Sequence, residues 1–204
     1  MRVIVPFALA STLFVSSCGQ SVQETPTAGG AEANCMSRAY AEIGGPFSLT
    51  DHTGAQRTEA DFAGAPTLIY FGFTYCPDIC PGTLVAVERA YQSLPDDVAP
   101  PQTLLITVDP ERDTPDALAS YVSTEAFPDN LIGLTGTPDQ IAEAAEQFFV
   151  QYERIEQPDS LSDYTMDHTS LLYLMDEDWQ LQTFFAEGAF RPDEMAECLA
   201  KHIS

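Results

Sequence analysis

Basic residues are scarce in this sequence of 204 residues. Lysine and arginine together number 8, against 31 aspartates and glutamates, which gives a formal net charge of −23. A surface of this sign repels the phosphates of nucleic acids and anionic lipids, so the composition argues against a nucleic-acid-binding protein. We interpret the acidic residues mainly as a solvated surface, with a docking surface for a basic partner as the alternative.

The sequence also lacks internal repeats and a long apolar run. The run from Val3 to Val15 has 13 residues, too few to span a hydrocarbon core about 30 Å thick. Because it follows Arg2 and ends in small residues, we predict that residues 1–17 are an export signal peptide, which the following resemblance identifies as that of a lipoprotein. The ending VSSC resembles the bacterial lipobox, which implies that Cys18 is lipidated and anchors the chain to a membrane.

Beyond this leader the composition changes once. Residues 19–34 are small and polar without periodic apolar positions, so a disordered tether is predicted there. Together with Cys18, whose lipidation the lipobox resemblance implies, it makes up residues 18–34. Residues 35–204 are long and apolar enough to bury one sizeable core, and we predict a single domain.

Two of the five cysteines, Cys76 and Cys80, follow an apolar run in the stretch FGFTYCPDICP. Residues 67–73 have the length and the β-branched and aromatic content of a buried strand. Pro77 and Pro81 then fit a loop and a first helical turn, so both cysteines lie at a strand-to-helix junction. A helix N-terminus favours thiolate over thiol, so these sulfurs should be nucleophilic and should bind metals well.

Strands and helices are predicted to alternate through the middle of the chain. A strand at 103–108, a helix at 117–125, a strand at 131–134 and a helix from 137 to about 149 follow the first helix. This alternation predicts βαβ units and a mostly parallel central sheet that is covered on both faces.

Hairpins are predicted at both ends of the domain. Residues 47–57 fit a hairpin with a turn at Gly54, and residues 169–185 fit a second antiparallel pair before a closing helix at Pro192. The predicted fold class is therefore α/β, with a central mixed β-sheet flanked by helices and an N-terminal hairpin.

The three histidines occupy different positions. His52 falls in a turn and His202 at the end of the closing helix, where partial negative charge favours a cation, so we interpret both as structural. His168 lies at the entrance of the strand predicted at 169–175. Strand ends gather at one edge of an α/β sheet, where sites are commonly built, but a lone histidine is usually structural.

Three motifs, FGFTYCPDICP, VDPERDTP and MDHTSLLYLM, occur in this order. Together they resemble the Sco/SenC family of copper-binding, membrane-tethered, thioredoxin-like proteins over about residues 47–203. The resemblance implies a thioredoxin-like fold in which Cys76, Cys80 and His168 bind copper. It also implies a metallochaperone, rather than an enzyme, that delivers copper to the dinuclear copper centre of cytochrome c oxidase.

The chemistry of these three side chains agrees with copper. Two thiolates and one imidazole suit Cu(I), and with a further weak ligand also Cu(II). Structural zinc would normally need four ligands, although a catalytic zinc with an open position stays possible. Asp78, Asp109 and Asp113 could orient the ligands from a second layer, or could simply cap loops and helices.

Two other functions compete with the metallochaperone. Cys76 and Cys80 could cycle between dithiol and disulfide and reduce a partner through a mixed disulfide. Three residues separate these cysteines, one more than in the C-x-x-C motif of thioredoxins, and this spacing loosens such a disulfide and favours metal binding. A purely structural disulfide is the least favoured alternative, because cross-linking so short a loop would add little stability. A copper or redox sensor is the remaining alternative.

The resemblance also implies a partner and a location. The expected partner is the copper-site subunit of cytochrome c oxidase or another copper protein, together with a membrane reached through the N-terminal lipid. We expect a bacterial cell envelope, with the domain facing the periplasm and Cys18 anchored to the inner membrane.

Two cysteines remain once Cys18, Cys76 and Cys80 have been assigned. Cys35 opens the domain and Cys198 lies in its final helix. In an oxidising compartment a structural disulfide could join them, and the cysteine count leaves only this pair.

Overall fold

The computed structural model describes residue 35, residues 42–159 and residues 162–203, which lie in one compact unit. The predicted signal peptide at 1–17 and the predicted tether at 18–34, with Cys18, lie outside the described residues. Among the residues that are described, no helix is long and apolar enough to cross a membrane.

Nine strands and four α-helices follow one another along the part of the chain that the structure describes. The strands are β1 (Ser48–Asp51), β2 (Gln56–Thr58), β3 (Thr67–Gly72), β4 (Gln102–Thr107), β5 (Leu131–Thr135), β6 (Tyr152–Glu156), β7 (Tyr164–His168), β8 (Leu171–Met175) and β9 (Leu181–Ala186). The helices are α1 (Ile79–Tyr91), α2 (Pro115–Val122), α3 (Pro138–Gln147) and α4 (Pro192–Ile203).

Seven of these strands form one sheet in the order β2-β1-β5-β4-β3-β8-β9. The central strands β3, β4 and β5 pair in parallel, and antiparallel strands flank them on both sides. The predicted mixed sheet and both predicted hairpins are therefore confirmed. The expectation of a mostly parallel sheet was wrong, because strands joined by a tight hairpin must be antiparallel and hairpins supply both flanks.

Strand β3 is buried along its whole length. Ile69, at its middle, pairs with Leu104 of β4 on one side and with Tyr173 of β8 on the other. A central strand with both faces covered has no solvent-facing side, which explains why its sequence is apolar throughout instead of alternating. The two cysteines of the FGFTYCPDICP motif thus follow the end of the most enclosed strand.

Helix α2 begins close to the predicted position and ends earlier. The Thr114 hydroxyl accepts a hydrogen bond from the Ala117 N–H at 3.3 Å, and Pro115 occupies the first turn. The predicted end at residue 125 was wrong. The Thr124 N–H instead donates to the Tyr121 carbonyl at 3.2 Å, a bond three residues back that closes the helix after Val122.

Strand β7 was not predicted. It pairs with β6 in a separate two-stranded ribbon, in which Tyr152 lies opposite His168. Residues 169–175 were predicted to be a strand, but β8 begins only at Leu171. His168 is therefore the last residue of β7 rather than the entrance to β8.

Helix α4 closes the domain and carries one end of a disulfide. Its buried residues are Met195, Ala196, Cys198 and Leu199. Cys198 is bonded to Cys35, with 5.5 Å between the two Cα atoms and a sequence separation of 163 residues. The bond ties residue 35 to the final helix of the domain.

We expect this disulfide to contribute strongly to stability, because it closes a loop that spans 163 residues. In the chain-entropy model a bond of this kind raises the free energy of unfolding by about 5 kcal/mol. Urea unfolding of the full chain with and without dithiothreitol measures the difference. The stability of the control variant Cys35→Ala should not respond to the reductant, and equal stability of the oxidised and reduced wild type would contradict the prediction.

Candidate metal centre

Cys76 and Cys80 lie on either side of the start of α1. Cys76 belongs to the loop after β3, whereas Cys80 is in the first turn of the helix. Both are free thiols, Cys76 half-buried and Cys80 fully buried. The Cys80 N–H donates to the Cys76 sulfur at 3.2 Å, so the helix start is folded against that sulfur.

The two thiols are not equivalent. A hydrogen bond from the Cys80 thiol lowers the pKa of Cys76 to about 6, against the opposing effect of burial and with help from backbone N–H groups at the helix start. The same interaction with Cys76, together with burial, raises the pKa of Cys80. The pair therefore holds a thiolate at Cys76 and a protonated thiol at Cys80 near neutral pH.

Cys80 is also linked to residues that the sequence analysis did not single out. The buried Tyr70 hydroxyl interacts with the Cys80 sulfur and donates to the Glu187 carboxylate, which also accepts from the Thr83 hydroxyl at 2.9 Å. Burial raises the pKa of Tyr70, and so do its interactions with Cys80 and Glu187. Glu187 lies 104 residues from Thr83 in the sequence, so no local pattern could have found this contact.

Gly72 ends β3 directly beneath the buried thiol. A Cβ atom at this position would come within 3.0 Å of the Tyr70 ring and 3.4 Å of the Cys80 sulfur. Any other residue would therefore push against the side chains that surround Cys80, so the glycine permits the close approach of strand and helix.

His168 reaches the same end of β3 from the ribbon. Its ring packs edge-on against Phe73 and Tyr70, with centroid distances of 6.0 Å and 6.3 Å. The Nδ1 atom lies 3.1 Å from the Thr169 carbonyl oxygen. A proton on Nδ1 donated to this oxygen would leave the lone pair of Nε2 free to bind a metal, the usual arrangement of a metal-binding histidine.

The three predicted ligands share one end of the sheet but do not form a closed cluster. Among the described residues, the group of metal-binding atoms that all lie within 4.8 Å of one another consists of Cys35, Cys198 and His202. The atoms of Cys76, Cys80 and His168 are not grouped so tightly. A metal bound by all three would therefore have to draw His168 and the cysteines closer together.

The other two histidines are outside this centre. The His52 Nδ1 atom accepts a hydrogen bond from the Gly133 N–H at 3.2 Å, in keeping with a structural role. The expectation that the end of α4 favours a charged His202 was wrong, because burial and the neighbouring Lys201 lower the pKa of His202.

Asp113 anchors the cysteine loop to the sheet. Its carboxylate is fully buried and accepts hydrogen bonds from the Thr74 N–H at 3.0 Å, the Thr74 hydroxyl at 2.5 Å and the Thr107 hydroxyl at 2.6 Å. Burial raises the pKa of Asp113 despite these bonds. Asp113 thus connects Thr74, the first residue after the FGF segment, to Thr107 at the end of β4.

Asp109 and its neighbour Arg112 connect the same loop to the ribbon. The buried Asp109 carboxylate accepts from the Tyr164 hydroxyl at 2.8 Å and from Arg112 Nε. The Arg112 guanidinium stacks between Tyr75 and Tyr164, 4.5 Å and 3.6 Å from the ring centroids, and donates to the Tyr164 carbonyl at 3.1 Å. Asp78, in contrast, is exposed and makes no capping hydrogen bond at the start of α1.

Comparison with known families gives a consistent result. A family model described as SCO1/SenC matches residues 36–204. The human protein named "Protein SCO1 homolog, mitochondrial" is 39% identical over 163 residues, which are 79% of this chain and 53% of the human protein. The chain thus spans about half the length of the curated relatives it matches.

Solved structures of similar proteins share the fold. Arabidopsis thaliana ScoI with copper bound is 38% identical with a TM-score of 0.73, over 79% of this chain and 98% of that one. Bradyrhizobium japonicum ScoI with copper bound is 40% identical with a TM-score of 0.69, over 79% and 99%. A third structure is that of BsSco, described as a member of the Sco family of cytochrome c oxidase assembly proteins. It is 23% identical with a TM-score of 0.62, over 82% of this chain and 96% of that one, and this likeness concerns the fold alone. The predicted thioredoxin-like fold is confirmed.

The predicted location was wrong. We expected a bacterial envelope, with the domain facing the periplasm and a lipid at Cys18 in the inner membrane. The finding that overturns this expectation is that the relatives from human, Arabidopsis thaliana and Saccharomyces cerevisiae are named as mitochondrial proteins. The four-residue VSSC pattern is too short to decide the compartment by itself.

We expect Cys76 in the reduced, metal-free chain to ionise with a midpoint at about pH 6. Because the thiolate is the reactive form, alkylation of Cys76 by iodoacetamide should rise between about pH 5 and 7 and then level off, while the buried Cys80 reacts slowly. Mass spectrometry of the modified peptides measures both rates.

The Cys80→Ala variant tests the cause of this shift, because it removes the thiol that lowers the pKa of Cys76 most. Its midpoint should move upward. A wild-type midpoint near the ordinary value of 9.0 would contradict the assignment of the thiolate to Cys76.

The Asp113→Asn substitution should destabilise the domain by about 1–3 kcal/mol, because the amide replaces one acceptor oxygen with a donor that faces the Thr74 and Thr107 donors. Urea unfolding measures the change. The exposed Asp116→Asn is the matched control and should have little effect. Equal stabilities of the two variants would rule out the anchoring role of Asp113.

Proposed function

The chain belongs to the SCO1/SenC family, and on this basis we propose that it is a metallochaperone that binds copper through Cys76, Cys80 and His168. Copper is its cargo, which it delivers during the assembly of cytochrome c oxidase. The domain that carries the cargo is the one predicted at residues 35–204.

The observation that carries this proposal is the pair of free thiols at the start of α1. Cys76 is half-buried, and its pKa of about 6 makes its sulfur a thiolate near neutral pH without a metal. Copper(I) prefers soft thiolate and imidazole ligands in low coordination numbers. The copper-bound relatives at 38% and 40% identity support the same cargo here.

His168 is the proposed third ligand. The contact between its Nδ1 atom and the Thr169 carbonyl orients the ring and leaves Nε2 to bind. A ligand that comes from the ribbon, separately from the cysteine loop, allows copper to be held by two sulfurs before the imidazole closes the site. Release to a recipient can then begin with the loss of that one ligand.

The recipient in this proposal is the copper-site subunit of cytochrome c oxidase, or another copper protein that offers cysteine and histidine ligands. Membership of the SCO1/SenC family supports this direction. The net charge of −23 is compatible with a recipient whose docking surface is basic.

A thiol-disulfide reductase is the second candidate, and the asymmetry of the two thiols favours it. The Cys76 thiolate would attack a partner's disulfide, forming a mixed disulfide and releasing one partner thiolate. Cys80 would then attack the Cys76 sulfur and give its proton to the departing thiolate. Two electrons pass to the partner, and a Cys76–Cys80 disulfide remains.

Copper binding distinguishes the two candidates. The full chain carrying Cys18→Ser, with Cys76 and Cys80 reduced, is titrated with Cu(I) against a chromophoric chelator and with Cu(II) by absorption spectroscopy. We expect one copper per chain at this centre. His168→Ala should weaken binding by at least about tenfold, the effect typical of losing even an outer partner of a metal site.

The matched control is His52→Ala, which removes a half-buried imidazole outside the centre and should leave copper affinity unchanged. Two results together would refute the metallochaperone and support the reductase. One is copper binding that does not depend on His168, and the other is reduction of a model disulfide peptide by the Cys76–Cys80 dithiol, which becomes a reversible disulfide.

A further inference from the structure

A second group of soft ligands lies on α4, away from the proposed copper centre. Cys198 and His202 are four residues apart on this helix, a spacing that places both side chains on one face. The disulfide brings Cys35 to the same face, and the two sulfurs and a ring nitrogen of His202 all lie within 4.8 Å of one another.

This group is separate from Cys76 and Cys80. Ile203, next to His202, lines a surface cavity together with Pro66 and Gln102, which lie at the starts of β3 and β4. The copper centre follows the opposite end of β3. The two places are therefore separated by roughly the length of a six-residue strand, about 15–20 Å.

One ring nitrogen of His202, Nε2, is buried without a hydrogen-bond partner among the described residues. A buried polar group without a partner is unfavourable, and native structures seldom retain one without a reason. A metal ion held beside the two sulfurs would give this imidazole the partner that the oxidised structure does not provide.

We propose that Cys35, Cys198 and His202 form a second, redox-gated copper(I) site. In the oxidised chain the sulfurs are bonded to each other and no thiolate is available. After reduction, two thiolates and one imidazole can hold one Cu(I) ion, which accepts low coordination, whereas structural zinc would need a fourth ligand. The proposal uses no residue of the first centre and does not rest on its function.

The reducing step needs a dithiol, such as a thioredoxin-like protein. One thiolate of the dithiol attacks the Cys35 sulfur, which is half-buried and thus more accessible than the buried Cys198. Cys198 leaves as a thiolate and takes up a proton. The second thiol of the reductant then displaces Cys35, so two electrons reach the chain and the reductant becomes a disulfide. Binding of Cu(I) releases the two thiol protons and leaves the oxidation state of copper unchanged.

The experiment uses the full chain with Cys18, Cys76 and Cys80 all replaced by serine, so that Cys35 and Cys198 are the remaining two of five cysteines. One sample stays oxidised. The other is reduced anaerobically with a trialkylphosphine, which takes up oxygen from water to become the phosphine oxide as the disulfide becomes two thiols. After removal of the phosphine, both samples are titrated with Cu(I) against a chromophoric chelator.

We expect the reduced chain to bind one Cu(I) and the oxidised chain to bind none with comparable affinity. His202→Gln, which keeps much of the side-chain volume, should weaken binding by at least tenfold, whereas the control His52→Gln should not. X-ray absorption at the copper edge should report two sulfur ligands and one nitrogen ligand, and the nitrogen should be lost in His202→Gln.

Three results would overturn the proposal. The first is equal Cu(I) binding by oxidised and reduced chains. The second is tight binding by the reduced chain that is unaffected by His202→Gln, since two thiols alone would then suffice. The third is loss of the near-ultraviolet circular dichroism signal on reduction, because the site requires a folded α4. Failure of copper binding at Cys76 and Cys80 would refute the proposed function without affecting these results.

Discussion

The buried carboxylate of Asp113 is the constraint on which the candidate centre depends. An ionisable group without solvent exposure must have its hydrogen bonds satisfied within the protein, and Asp113 achieves this with two threonines from different segments. Thr107 belongs to the end of β4, and Thr74 begins the loop that leads to Cys76. The loop is therefore held to the sheet by an interaction that is costly to break.

The same short segment after β4 also holds the ribbon. Asp109 accepts a hydrogen bond from Tyr164, and Arg112 stacks on that ring and on Tyr75 of the cysteine loop. The cysteines and the histidine thus reach the end of β3 on two separate elements that share one set of anchors. This arrangement explains how two predicted ligands 88 residues apart in sequence, Cys80 and His168, reach the same end of β3 without belonging to one motif.

Much of the fold followed from local patterns. The apolar run of β3, the prolines at the cysteine loop, the Thr-Pro starts of α2 and α3, and both hairpins each have a cause within a few neighbouring residues. Strand β7 could not be found in this way. Its residues are partly polar, and its strand character comes from pairing with β6, which is mostly exposed. The mixed pairing of the large sheet was not local either. It depends on the hairpin β1–β2 pairing with β5 and the hairpin β8–β9 pairing with β3, which are contacts between distant segments.

The properties of the candidate site can also be separated into those that follow from sequence and those that follow from tertiary structure. The sequence by itself determined the chemistry: two cysteines at a helix start, a histidine after a polar stretch, and a remaining pair of cysteines near the two ends of the domain. Only the tertiary structure decided the environment of each group. It made Cys76 the thiolate and Cys80 the buried thiol, brought Tyr70 and Glu187 to the latter, and left His168 short of a closed cluster. The physical reason is that residue type and spacing specify which atoms can bind a metal, whereas burial and hydrogen-bond partners arise only when distant segments pack together.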